Sequence, residues 1–226
     1  MSLPITDTPT RAQLQALIDE ADAPLHFVDC DLQGVDLSHL DLREARFERC
    51  VLAECRLRSA RLADTEWIAC RAREADFAGA DLGSARFSRC DLNNTVWRGC
   101  KLGGAHFDNC RLTGARIEDC SALGLVFAEC VLVGAYLRGL GFRKQTLAQL
   151  DFSEADLAGL DFRDARFEGG SLRNAHLIDA RFDGADLRAA DLGGLRLADL
   201  AVLRGATISA DQAAVLLAEF GVNVLD

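Results

Sequence analysis

The sequence lacks the features that mark membrane, secreted and metal-binding proteins. No apolar run approaches the ~20 residues that a transmembrane helix needs, and the N-terminus has no basic segment followed by an apolar one, as signal peptides do. No C-x2-C pair offers paired zinc ligands, and no glycine-rich phosphate-binding loop occurs. These absences predict a cytoplasmic protein that holds neither a metal nor a cofactor.

Positive charge is also scarce. The chain has 25 Lys and Arg against 35 Asp and Glu, which gives a formal net charge of −10. Direct binding of nucleic acid needs a basic face, and this balance argues against one. The four histidines, His26, His39, His106 and His176, fall beside no recurring Ser, Cys or carboxylate, so we do not expect an enzyme or any catalytic residue.

The nine cysteines reveal a repeat, because each lies at a multiple of five: positions 30, 50, 55, 70, 90, 100, 110, 120 and 130. Counting in fives from Phe27 to Leu197, 30 of 35 residues are Leu or Phe. Two residues before each of these positions, 23 of 35 are Ala or Cys. An internal period held over such a length indicates a repeat architecture.

A five-residue period fits neither a helix, with 3.6 residues per turn, nor a straight strand, with a period of two. It fits a chain that turns a corner every five residues and places one large apolar residue inside each side. Four sides make a square coil of 20 residues, and stacked coils make a β-solenoid. The cysteines from Cys30 to Cys130 that lie 20 residues apart would then form one buried column.

The repeat, seen plainly in Ala80-Asp81-Leu82-Gly83-Ser84, resembles the A(D/N)LXX motif of pentapeptide-repeat proteins. The resemblance implies an all-β solenoid, a right-handed quadrilateral β-helix with short N- and C-terminal capping helices. We place the β-helix at residues 25–208, between an N-terminal capping segment at 1–24 and a C-terminal helix and tail at 209–226. Thr10 and Gln13 form a capping-box pattern, which predicts a short helix over about residues 11–21.

The C-terminal segment predicts a second helix, opened by a capping-box pattern at Ser209 and Gln212 and closed by Gly221. Apolar residues surround most of this helix, whereas a cap on a coil end needs only one apolar face. We therefore predict a homodimer through this segment, with a plain end cap as the alternative. The candidate interface residues are Leu216, Leu217, Phe220, Val222 and Val224.

Residues 208–222 and the stretch Cys120-Ser121-Ala122-Leu123-Gly124-Leu125 resemble the topoisomerase-protecting pentapeptide-repeat proteins, the subfamily of the Qnr proteins, MfpA and AlbG. The resemblance implies a rod-shaped homodimer that mimics duplex DNA. Its partner would be DNA gyrase, and possibly topoisomerase IV, which it would protect from quinolone or albicidin-like poisons. The five-residue frame admits no inserted loop, which makes the loop-less MfpA pattern the closer one.

The distribution of charge is compatible with DNA mimicry. Residues 151–226 hold 14 acidic and 7 basic residues, whereas residues 1–150 hold 21 and 18. The candidate DNA-mimic surface consists of aspartates that directly precede a core Leu or Phe: Asp151, Asp156, Asp161, Asp186 and Asp191. Asp at this point of the repeat can equally serve turn formation.

The alternative function is that of a solenoid module for protein–protein interaction or signalling unrelated to topoisomerases, which would not need the C-terminal helix and tail. Outward positions in two neighbouring coils hold an apolar cluster, which can mark a contact site: Leu123, Val126, Val131, Val133 and Tyr136. Segment 141–150 is irregular, with Gln145 at a corner that usually holds Ala or Cys.

Overall fold

The computed structural model describes residues 5–6, 9–195, 197–219 and 221–224. Helix α1 spans Arg11–Glu20, a 3-10 helix spans Leu197–Leu203, and helix α2 spans Ala210–Glu219. Between them lie eight three-residue strands in chain order: β1 (His26–Val28), β2 (Arg46–Glu48), β3 (Glu66–Ile68), β4 (Arg86–Ser88), β5 (His106–Asp108), β6 (Val126–Ala128), β7 (Thr146–Ala148) and β8 (Arg166–Glu168).

All strand pairs are parallel, and each residue pairs with the residue 20 positions later, as Phe27 does with Phe47. The same 20-residue register links isolated bridges on the other sides of the coil, such as Asp31 with Val51 and Asp36 with Arg56. The 20-residue coil is therefore confirmed, and with it the predicted quadrilateral β-helix with a helix near each end.

We number the four sides of the rod by their inward residues. Face 1 carries the strands, with inward residues from Phe27 to Leu187, and face 2 has inward residues from Leu32 to Leu192. Face 3 runs from Leu37 to Leu177 and face 4 from Leu42 to Phe182. Residues five apart in sequence therefore lie on successive faces, and residues 20 apart lie on the same face.

Aromatic rings stack along the interior of the rod. On face 1, the ring centroids of Phe27 and Phe47 lie 4.8 Å apart, and those of Phe47 and Trp67 lie 4.1 Å apart. On face 3, Phe77 stacks on Trp97 at 4.1 Å. Such contacts add to the free energy gained from burying the rings, so neighbouring coils are held together through the core as well as by the backbone.

The two tryptophans explain why threonine replaces Ala or Cys at two corners. The Trp67 Nε1–H donates to Thr65 Oγ1 at 2.9 Å, and that hydroxyl donates to the Leu62 carbonyl at 2.7 Å. Thr95 serves Trp97 in the same way, at 2.8 Å. A buried indole N–H needs an acceptor, so each tryptophan is accompanied by a threonine two residues before it.

The cysteines occupy inner corners as free thiols, all buried except the partly exposed Cys120. Several donate to a carbonyl of the preceding coil, as Cys90 Sγ does to the Trp67 carbonyl at 3.4 Å. Burial raises the pKa of the Cys55 thiol to about 12. Among the described residues, no group of three His, Cys, Asp or Glu side chains has a geometry that could hold a metal ion.

Both helices attach to the coil by specific contacts. The α1 capping box forms as predicted, with the Thr10 N–H donating to Gln13 Oε1 at 2.8 Å, and Leu14 enters the core. At the other end, Gln212 Nε2 donates to the Leu187 and Ala190 carbonyls at 2.8 and 2.6 Å. The bond to Ala190 satisfies a carbonyl that in earlier coils accepts from the next coil, whereas the Leu187 carbonyl also accepts the Ala190 N–H at 2.9 Å.

Within the described coils, the backbone ladder is interrupted between β6 and β7, which divides face 1 into a six-stranded and a two-stranded sheet. The N–H groups of Ala122, Gly124 and Gly141 have no backbone partner, whereas one coil earlier the Gly104 N–H bonds the Leu123 carbonyl at 2.9 Å. Cys120 and Ala122 are partly exposed, although other residues of their columns are buried. We call this interruption the seam.

Candidate protein-binding surfaces

The five aspartates predicted to form one surface lie on all four faces. Asp151 and Asp191 are both on face 2, at positions linked through Ser171. Asp156 lies on face 3, Asp161 on face 4 and Asp186 on face 1, because each directly precedes an inward residue of that face. The structure thus brings together two of the five candidates and separates the remaining three.

Each of these aspartates accepts a hydrogen bond from the backbone N–H two residues later. The distance is 3.0 Å from the Ser153 N–H to Asp151, 3.2 Å from the Ala158 N–H to Asp156, and 2.9 Å from the Gly193 N–H to Asp191. Asp161 and Asp186 accept in the same way. All five carboxylates therefore contribute to the turns of the coil, as aspartate commonly does in this geometry.

Arginines neutralise four of the five. Arg138 contacts Asp156 at 2.7 Å, and Arg163 contacts Asp161 at 2.6 Å. Arg188 contacts Asp186 at 2.7 Å, and Arg173 contacts Asp191 at 2.9 Å. The Arg163 and Arg188 guanidinium groups lower the pKa of Asp161 and Asp186 to about 2. Asp151 has no ion pair within the described part of the chain and bonds only the Ser153 N–H and hydroxyl.

Face 2 gathers further carboxylates near the C-terminal end that we did not predict. Glu154 is exposed on the coil that carries Asp151, three residues beyond it, and Asp211 of α2 lines a shallow pocket together with Asp191. We call Asp151, Glu154, Asp191 and Asp211 the acidic group. The five-residue frame could have indicated its coil members, because Asp151 and Asp191 lie 40 residues apart and Glu154 lies at the next turn after Asp151.

The apolar residues of helix α2 and of the tail that follows it lie partly against the coil and partly at the surface. Leu216 packs on the coil end and is 4% exposed, whereas Leu217, Val222 and Val224 are 40, 46 and 50% exposed. Val215, which was not among the predicted interface residues, is 55% exposed. Phe220 lies outside the described residues. The structure thus leaves Val215, Leu217, Val222 and Val224 uncovered, and we call them the α2 surface.

The predicted apolar cluster encircles the rod instead of forming one patch. Leu123 lies on face 4, Val126 on face 1, Val131 and Val133 on face 2, and Tyr136 on face 3. Leu123 is 91% exposed and borders the seam, and Arg116 lies 4.7 Å from the centre of the Tyr136 ring. Gln145 is only partly buried, and its Nε2 donates to the Gly141 carbonyl at 3.4 Å.

These observations define a rod of stacked coils with charged faces and an uncovered apolar helix at one end. The family described as pentapeptide repeat region matches residues 25–97, and the family described as pentapeptide repeats (8 copies) matches residues 98–122, 135–174 and 171–199. Together these matches cover well over half of the sequence. The chain belongs to the pentapeptide-repeat proteins.

Solved structures show the same fold. A trypsin-treated form of QnrB1, described as a plasmid-mediated fluoroquinolone resistance protein, is 22% identical with a TM-score of 0.70, over 88% of this chain and 99% of that chain. HetL from the cyanobacterium Nostoc, described as involved in heterocyst differentiation regulation, is 23% identical with a TM-score of 0.52, over 84% and 94%. A search of curated proteins gives no match. No helix in the described ranges is long and apolar enough to span a bilayer.

Proposed function

We propose that this protein binds a type II topoisomerase, DNA gyrase and possibly topoisomerase IV, in the place of duplex DNA, and thereby protects the enzyme from poisons. The protein would act by binding and not by catalysis. The observation that carries the proposal is the acidic group on face 2 of a rod whose coils continue without an inserted loop. The likeness to QnrB1 along nearly the whole length of that protein supports it.

The dimensions and charge suit such a role. Seven coil spacings separate β1 from β8, which is about 34 Å at the usual strand separation of ~4.8 Å. Duplex DNA of that length carries about 20 phosphate charges. The protein is less densely charged. Because Arg neutralises four of the five aspartates predicted from sequence, we assign recognition to the acidic group, which retains Asp151 without an ion pair and Asp191 beside Arg173.

We further propose that two copies associate through the α2 surface, as a homodimer. Four apolar side chains between 40 and 55% exposed together at one end of the rod favour burial against a partner. Because the acidic group includes Asp211 of α2, dimerisation would bring two acidic groups to the centre of one longer rod.

A second candidate function is that of a docking module for another protein. The observation that favours it is the ring of exposed apolar residues at Leu123, Val126, Val131 and Tyr136, which is unsuited to imitating DNA. In that case the partner would contact the middle of the rod and would be indifferent to the acidic group.

The experiment is a gyrase supercoiling and cleavage assay with a fluoroquinolone or an albicidin-like compound, with and without the purified protein. We expect the protein to restore supercoiling and to reduce poison-induced cleavage complexes. Absence of protection with every poison, together with no binding to gyrase in a pull-down of purified components, would contradict the proposal and leave the docking module.

A further inference from the structure

On face 2, two arginines and two aspartates lie at equal distances on either side of Val131. The outward column of face 2, linked coil by coil through bridges, begins with Asp31 and Val51 and continues as Arg71, Asp91, Arg111, Val131, Asp151, Ser171 and Asp191. Arg71 and Arg111 are exposed on the N-terminal side of Val131, and Asp151 and Asp191 lie on the C-terminal side. Val131 is the midpoint of the stretch from Arg71 to Asp191, and Val133 lies beside it on the same face.

The arginines of this column have no carboxylate partner in the described part of the chain. Many other coil arginines form ion pairs with a carboxylate two residues away or one coil away, as Arg163 does with Asp161 and Arg61 with Asp41. Asp91, which lies between Arg71 and Arg111, instead contacts Arg73, at 4.0 Å. The guanidinium groups of Arg71 and Arg111 are therefore available to an anionic group on another molecule.

The outward column of face 2 is complementary to a second copy of itself that runs in the opposite direction. If two copies are placed face to face and antiparallel, with a two-fold axis at Val131, each position meets the one equally far on the other side. Arg111 then faces the partner's Asp151, Arg71 faces the partner's Asp191, and Val131 faces the partner's Val131. Because Asp191 already pairs with Arg173 in each copy, the contact between Arg111 and the partner's Asp151 is the one that joins two unpaired charges. On the neighbouring column Val133 meets the partner's Val133, and Thr113 meets the partner's Ser153. A two-fold interface requires this self-complementarity.

We propose that face 2 binds face 2 of a second copy, antiparallel and side by side, about a two-fold axis at Val131. The ion pairs span six coil spacings from Arg71 to Asp191, about 29 Å. A strip of that length and one coil side in width falls below the ~1,200 Å² of a standard stable interface, so the association is weak and salt-dependent. It does not involve the α2 surface and does not depend on the proposed topoisomerase binding.

The test uses two single charge reversals, Arg111→Glu and Asp151→Arg, in full-length chains that also carry Leu217→Glu to remove association through the α2 surface. Each reversal alone places like charges opposite each other twice in the symmetric pair. Mixed together, the two variants form a pair in which both contacts again join opposite charges. Sedimentation velocity over a range of concentrations measures the association, at an ionic strength of about 0.01 M and again at 0.15 M.

We expect each variant alone to associate at least about tenfold more weakly than the parent chain, and the mixture to return to within about threefold of it. The parent's association should weaken at the higher ionic strength. The matched control is the pair Arg116→Glu and Asp156→Arg, which lies on the same two coils but on face 3 and should show no such rescue. A mixture no better than its components, rescue by the face 3 pair, or a parent chain that does not associate at low salt would each overturn the proposal.

Discussion

The aspartate that precedes an inward residue has a structural role before any functional one. In Asp161 and Asp186 the carboxylate accepts the backbone N–H two residues later and an ion pair from the same residue's side chain. These contacts stabilise the ionised form of the carboxylate in the folded state. In the unfolded chain the carboxylate contacts only water and lacks this stabilisation. This preference links the stability of the coil to pH.

We predict the direction of that linkage from the two pKa values. Because the Arg163 and Arg188 contacts lower the pKa of Asp161 and Asp186 to about 2, below the ~3.9 of an unfolded chain, their stabilisation is complete above pH 4. It is lost as the pH falls from about 4 towards 2. Urea unfolding of Asp161→Asn with Asp186→Asn should show a smaller loss of stability over this interval than the parent; an equal loss would contradict the assignment.

A second residue-scale prediction concerns backbone strain at Ala69. Its φ is +53°, in the left-handed region that glycine adopts without the steric cost of a Cβ, and its side chain is too small to compensate. Ala69→Gly should therefore raise the free energy of unfolding, by about 0.5–1 kcal/mol. The matched control is Ala63→Gly, at a turn position directly after the inward Leu62, where φ is not positive. This substitution should lower the free energy of unfolding. Thermal and urea unfolding check both, and a lower stability for Ala69→Gly would contradict the argument.

At the scale of elements, the seam is the weakest junction between coils. Backbone hydrogen bonds normally protect amides from exchange, and local opening requires that they break. We predict that the amides of Gly124 and Gly141 exchange with deuterium faster than those of Gly104 and Ser121, their counterparts one coil earlier, which bond the Leu123 and Cys100 carbonyls. Equal protection on both coils, measured by NMR, would show that the ladder is continuous.

The α2 helix carries the next prediction. Leu217→Glu should convert dimers to monomers while leaving the coil folded, because an unpaired charge is costly to bury in an apolar interface. Ala12→Glu adds the same charge to an exposed position of α1 and serves as the control. Light scattering and circular dichroism check mass and fold. An unchanged mass for Leu217→Glu would remove the α2 surface from consideration as the dimer interface.

Sequence reasoning predicts most of the elements because a single rule generates them. Phe27, Leu32, Leu37 and Leu42 each stand inside one face, and both capping boxes can be read from residue order alone. The site was harder to predict because outward residues obey no rule of burial. Asp151, Asp156 and Asp161 follow one another at intervals of five, and that spacing itself places them on three different faces.

Two local features could not be read from the repeat. Leu197 keeps the five-residue frame, yet the chain forms a 3-10 helix there and Thr207 pairs with Asp186, 21 positions before it. The seam coincides with Ala122, a small residue at an inward position. Ala72 is equally small, but the ladder there is regular, with Trp67 lying beside Phe77 at 6.0 Å. An alanine at an inward position leaves room in the core that neighbouring rings can fill. Whether they do so depends on side-chain packing, which a periodic sequence pattern does not specify.

At the scale of the whole molecule, the four faces of the rod differ in how their charged side chains are arranged. The repeat ensures folding through inward residues, which frees most outward positions to vary. Turn aspartates on every face are held by Arg, whereas Asp151 and Glu154 on face 2 have no ion pair in the described residues. Binding through the acidic group would therefore depend on which face is presented, and not on total charge.

The most direct test measures gyrase affinity for two variants that lose the same number of charges. One carries Asp151→Asn and Glu154→Gln on face 2; the control carries Asp156→Asn and Asp161→Asn, whose carboxylates pair with Arg, on faces 3 and 4. Asn retains the oxygen that accepts the turn N–H, so both variants should fold. The account predicts that the face 2 variant binds at least about tenfold more weakly and with less salt dependence, while the control stays close to the parent. Equal affinities for the two variants, with no competition from duplex DNA, would contradict it.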